Sequence, residues 1–135
     1  MLGFPDSYRN GLSTALVNWI SDTIKVAAID LAVFTPTTGM DFRNDVTAGV
    51  IAEATLSGKT VGSISTGTVG HADAVFTSVT GSSIEQILYY KDTGTQASSP
   101  LILWNDAFAQ VVPNGTNIGL LAPSGVYQIP QGIAV

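Results

Sequence analysis

The chain has 135 residues, no cysteine and a formal net charge of −5. That length suits one domain burying roughly two-thirds of its unfolded surface without covalent staples, and the lack of cysteine excludes thiolate metal sites, redox motifs and thiol nucleophiles. The five basic residues, Arg9, Lys25, Arg43, Lys59 and Lys91, stand singly; nucleic-acid binding needs positive charge gathered on one face, so no DNA or RNA partner is expected.

Only 11% of the residues are charged, against about 25% in ordinary globular chains, and the mean hydropathy is +0.34. Solubility then rests on Ser, Thr, Asn and Gly, or part of the surface is covered by another protein. A surface short of charge and carrying apolar patches associates, so an oligomer or a large partner is expected. The opening "MLGFPDSYRN" has no cationic stretch leading into an apolar one. No apolar run reaches the ~18 residues that span a bilayer. The expectation is a soluble protein made in the cytoplasm, with no membrane partner.

In chain order, residues 1–22 read as a short arm followed by a helix. Asp6 can cap amides of a helix beginning at Ser7. Leu12, Ala15, Leu16, Trp19 and Ile20 recur at helical spacing. That apolar face either packs on the rest of the domain or projects onto a neighbouring subunit. Residues 23–135 then read as one β-domain. "TIKVAAIDLAVF" is β-branched and nearly continuous in apolar character until "TPTTG" breaks it. "VIAEATL" ends at the turn Ser57-Gly58, and "KTVGSI" follows. "ADAVFTSVTG" alternates, with Ala74, Phe76 and Ser78 on one face and Val75, Thr77 and Val79 on the other. "EQILYY" and "LILWND" are two strong strands. Pro113-Asn114-Gly115, Pro123 and Ser124-Gly125 cut the last third into short ones. Short strands at steady spacing with Gly/Pro turns predict a mainly β fold, an antiparallel sandwich or barrel.

Several residues invite a chemical reading. Asp92-Thr93-Gly94 is the triplet that carries the catalytic aspartate in aspartic proteases, where two such carboxyls share a proton. Here Lys91 precedes it, Thr95 follows it, and "DTGTQASSP" is rich in turn formers between two apolar strands. Asp92 is therefore read as a turn residue. Gly70-His71-Ala72-Asp73 holds the only histidine beside a carboxylate; a metal site needs three or four ligands, so this stretch is read as a solvated loop. Asp41 and Asp45 lack the spacing of a calcium loop, and Arg43 between them is read as their neutraliser in solvent. Asn114-Gly115-Thr116 has the form of a glycosylation sequon but reads as a tight turn. Tyr89, Tyr90 and Trp104 fit a sugar platform if exposed, and core or interface if not. No catalytic residue, metal or cofactor is assigned.

Taken together, "DTIKVAAID" (22–30), "TLSGKTV" (55–61), "DAVFTSVTG" (73–81), "ILYYKDTGT" (87–95) and "VVPNGTNIGL" (111–120) resemble small structural proteins of tailed bacteriophages, of the head-decoration (cement) type. The resemblance implies a non-enzymatic virion protein on the outer capsid surface, a homotrimer whose partner is the major capsid protein. It supplies no diagnostic residue set. The candidate capsid contacts, Leu2, Phe4, Pro5 and Tyr8, come from the apolar arm of this sequence itself. Two other readings stand beside it: another virion β-domain in the tail, connector or fibre, and a glycan- or receptor-binding module.

Overall fold

The structure is a computed structural model that describes residues 2–3, 16–62, 69–122 and 133–134. The strands among them are β1 Leu2–Gly3, β2 Ile24–Ile29, β3 Val50–Thr55, β4 Thr60–Val61, β5 Val69–Gly70, β6 Ala74–Phe76, β7 Gln86–Lys91, β8 Leu101–Asn105, β9 Ile118–Leu120 and β10 Ile133–Ala134. Two short 3-10 helices, Arg43–Gly49 and Gln96–Ser98, interrupt the connections. The larger sheet has the order β1-β8-β7-β2-β3, the smaller one β10-β9-β6, and β4 pairs with β5. Every strand pairing is antiparallel. The fold is mainly β, as the sequence predicts, and among the described residues no strand closes a barrel: the architecture is a sandwich.

The inner face of the larger sheet carries Ile24, Val26, Ala28, Ile87, Tyr89, Ile102 and Leu103. These pack against Ala74, Phe76, Ile118 and Leu120 of the smaller sheet. Two register irregularities shape that face. Ala28 pairs with Ala52 and Ile29 with Val50, so Ile51 is an extra residue; Tyr89 pairs with Leu103 and Tyr90 with Leu101, so Ile102 is another. A bulge of this kind re-aims a side chain, which lets Ile102 and Leu103 both enter the same core.

The outer face is covered as well. Ala27, Ile29, Leu88, Tyr90, Leu101 and Trp104 form a second apolar cluster under Leu31, Phe34, Met40 and Val46, which come from the β2–β3 connection. A strand buried on both faces loses its polar alternation, and this is why "IKVAAI" and "LILW" read as continuous apolar runs. Gly49, where the connection re-enters the sheet, is forced to be small. A Cβ there would lie 2.8 Å from Phe34 Cβ and 3.1 Å from Ile29 Cγ2.

Two elements depart from the sequence reading. The strand expected to run to Phe34 stops at Ile29. Asp30 is buried; its Oδ1 accepts the Ala32 N–H at 2.9 Å, while the Phe34 N–H turns back to the Asp30 carbonyl. The helix expected from Ser7 lies outside the described residues as far as residue 15. Its final part is not helical: Leu16–Asn18 is irregular and Trp19–Ser21 is a turn. Asn18 Oδ1 accepts the N–H groups of Ile20 and Ser21, both at 3.1 Å, which fixes a side-chain-capped turn in place of a last helical turn.

Gly49→Ala must move Phe34 or the main chain at the join of connection and sheet. A loss of about 1–3 kcal/mol is expected, read as a lower urea midpoint at unchanged slope.

Candidate functional site

Asp92 opens the β7–β8 connection. Its Oδ1 accepts the Gly94 N–H at 2.9 Å, its Oδ2 lies 2.6 Å from Lys25 Nζ on β2, and Gly94 has φ +84°, a conformation that favours glycine. The hydrogen bond from Lys25 and that from the Gly94 amide hold the carboxyl below the usual carboxylate range, whereas a peptidase dyad shares a proton. Thr93 Oγ1 contacts the hydroxyls of Ser98 and Ser99 at 2.8 and 3.2 Å, so the loop satisfies its own polar groups. Asp92 is a turn residue, as read. So is Asn114, whose Oδ1 accepts the Thr116 N–H and hydroxyl at 3.1 and 2.6 Å.

His71 corrects the solvated-loop reading: it is 6% exposed. Nδ1 lies 2.7 Å from the Ala72 carbonyl and Nε2 lies 3.2 Å from the Tyr89 hydroxyl. Those partners assign the proton to Nδ1 and make Nε2 the acceptor of the phenol O–H. Burial lowers the His71 pKa, against smaller raising effects from the Ala72 carbonyl and the Asp73 charge. Asp73 does not join it in a site, since its Oδ1 accepts the Ala122 N–H at 2.6 Å. Among the described residues no group of three or more potential ligands could hold a metal.

The aromatic residues considered for a sugar platform are core. Tyr89, Tyr90 and Trp104 are 1%, 3% and 7% exposed, and a platform needs open ring faces. Tyr89 lies tilted against Trp19, with ring centroids 6.2 Å apart, and against His71 at 5.8 Å. Burial raises the pKa of both tyrosines, so both hydroxyls stay protonated.

Arg43 is the second correction. It does not neutralise Asp41 and Asp45 in solvent. Asp45 Oδ2 instead accepts the N–H groups of Asp41 and Phe42 at 3.0 and 2.9 Å, fastening the start of the 3-10 helix. The Arg43 side chain, 4% exposed, points inward: Nε is 2.6 Å from Glu53 Oε1 on β3, and Nη1 donates to Thr47 Oγ1 at 3.1 Å. Its guanidinium carbon lies 5.7 Å from the Tyr90 ring centroid. Tyr90 donates its hydroxyl to the same Glu53 oxygen at 2.8 Å. Sequence reasoning missed this cluster because its members belong to three separate elements, and no periodic pattern links them.

The remaining described cations are also engaged within the chain. Lys25 pairs with Asp92, Lys91 with Asp22 at 3.0 Å, and Lys59 donates to the Asp22 carbonyl. Meanwhile Val33, Val61, Val75, Val112 and Leu121 are exposed by between 45% and 65%. Of the proposed contact residues, Leu2 contributes its main chain to β1, opposite Asn105, with Gly3 opposite Trp104. That makes β1 the outermost strand beside β8. Phe4, Pro5 and Tyr8 lie outside the described residues.

The unequal exposure of the Arg43–Glu53 pair sets an order of effects. The Glu53 side chain is 34% exposed and Arg43 4%, so removing the carboxylate strands a buried cation while removing the cation leaves an acid that water reaches. Glu53→Ala is expected to cost about 3 kcal/mol and Arg43→Met well under half of that, measured by chemical denaturation. The reverse order would place the energetic weight on the acid. In the comparisons with known proteins, neither a family model nor a curated protein matches the chain.

Proposed function

We propose that the protein is a non-enzymatic virion component that binds the outer surface of a phage capsid as a homotrimer and bridges neighbouring capsid subunits. The observation that carries this reading is the chain's surface. The described cations are engaged internally, while large apolar side chains on separate loops and strands stand in water. A surface with so little charge suits coverage by other protein. The arrangement of the start of the chain adds support: Leu2–Gly3 forms an edge strand, and the apolar residues Phe4, Pro5 and Tyr8 follow directly in sequence.

The mechanism is stabilisation by linkage. A protein that binds only the assembled lattice stabilises it by RT ln(1 + [L]/Kd) at each site. A trimer multiplies individually weak contacts through effective concentration, and a standard interface needs ~1,600 Å² in total. Internal pressure on a filled shell separates capsid subunits, and a bridge across them opposes that separation. No proton transfer, metal or cofactor enters this function. A tail, connector or fibre-associated role would use the same domain at far lower copy number.

Quantitative mass spectrometry of purified particles tests the assignment. Copies in a simple ratio to the major capsid protein are expected, a handful per particle would move the protein to the tail or connector, and none would remove it from the virion. Deleting residues 2–8 is expected to weaken attachment, with far-UV circular dichroism still reporting a β fold. Undiminished attachment would acquit Leu2, Phe4, Pro5 and Tyr8. The free protein is expected to sediment as a trimer.

A further inference from the structure

We infer that His71 and Trp19 form an acid-released latch: protonation of the buried imidazole undocks residues 16–22 from the sandwich while both main sheets stay folded. Among the described residues, Val17 and Trp19 pack this segment onto the core, and Trp19 is the central contact. Its indole Nε1 donates to the Gly70 carbonyl at 2.9 Å, and its ring packs on Tyr89. Leu16 and Ile20 on either side are 41% and 52% exposed. Lys91 Nζ closes the segment from outside, donating to the Leu16 carbonyl at 2.9 Å and pairing with Asp22.

His71 touches the same tyrosine from its other neighbour position. The neutral ring is fully satisfied, Nδ1 as donor to Ala72 and Nε2 as acceptor from Tyr89. A proton arriving at Nε2 removes the described acceptor of the Tyr89 O–H and places a cation in the sandwich core. Of the titratable groups on the elements around it, only Asp73 favours that charge, and burial outweighs it. Tyr89 on β7 stays neutral, its hydroxyl pKa raised by burial. Asp73 favours the cation but is bonded to the Ala122 amide. Asp22 on the 16–22 segment is committed to Lys91, and Lys59 beside β4 to the Asp22 carbonyl. The imidazolium therefore needs water. The segment carrying Trp19 is joined to the residue before His71 by the bond to the Gly70 carbonyl and shares Tyr89 with it, so it is the cover that opens.

The direction of the pH effect follows. The folded protein favours neutral His71, so the docked state is fully stable above the free-histidine value of about 6.5 and loses stability as pH falls toward the lowered folded value. Asp22 and Asp92 also have lowered values. They release their stabilisation only below the ordinary carboxylate range, which leaves the histidine window clear.

The test uses the full chain carrying Trp104→Phe, so that Trp19 is the sole tryptophan. Its emission and acrylamide quenching are followed from about pH 7.5 to about pH 4.5, the interval that brackets histidine titration, alongside far-UV circular dichroism. The expected result is a red shift and a several-fold gain in quenching at constant dichroism. The step should vanish in His71→Gln and move to lower pH in Asp73→Asn, which keeps the bond to Ala122. If Trp104→Phe fails to fold, fluorotryptophan NMR on the unsubstituted chain reads the two indoles separately. No change at Trp19, a step that survives in His71→Gln, or a step coinciding with loss of β signal would each overturn the latch.

Discussion

The larger sheet depends on being covered on both sides, and the contact that secures its outer cover is the Arg43–Glu53–Tyr90 cluster. The β2–β3 connection has little regular structure of its own to hold it in place. Main-chain bonds from Arg43 to Ser99 and from Leu101 to Asp41 tie it to the start of β8, and Arg43 reaches inward to Glu53 on β3 and lies over Tyr90 on β7. That attachment helps seat Leu31, Phe34, Met40 and Val46 over Ala27, Ile29, Leu88 and Leu101. A buried ion pair adds little net stability over an apolar substitute. Its value here is positional: a guanidinium in that site has few places to go, so the connection has one register on the sheet.

The parts of the fold legible in the sequence are those in which local chemistry and burial agree. The β-branched runs became strands, and Ser57-Gly58, Asp92–Gly94 and Pro113–Gly115 became turns, because glycine, proline and Asx side chains act within a few residues. The misreadings share a different cause. Leu16, Trp19 and Ile20 match helical spacing, yet of the three only Trp19 packs on the core, and Asn18 between them supplies the acceptor that bends the chain. Apolar character continues from Ile29 to Phe34, but the buried Asp30 ends the strand. For Arg43 and His71 the deciding partners, Glu53 and Tyr89, arrive through tertiary folding. A lone charged or titratable residue in a polar stretch then reads as solvated whether or not a partner awaits it.

Charge is used sparingly, and the described cations are engaged within the chain. Lys25, Lys59 and Lys91 gather the ends of β2, β4 and β7 around Asp22 and Asp92, stitching one end of the sandwich. Among the described residues, Val33, Val61, Val75 and Val112 stand exposed. With cations paired inside the chain and apolar side chains left in water, the surface suits coverage by other protein, which is the physical basis for reading this chain as part of an assembly.

The pairing of Leu2 with Asn105 also imposes a timetable. During synthesis the first strand emerges long before β8 exists, and contacts between distant parts of a chain are slow to form. Until β1 docks, the β8 border is an unpaired edge of the kind that can join another chain. Docking of β1 thus covers the edge of β8 as well as completing the sheet.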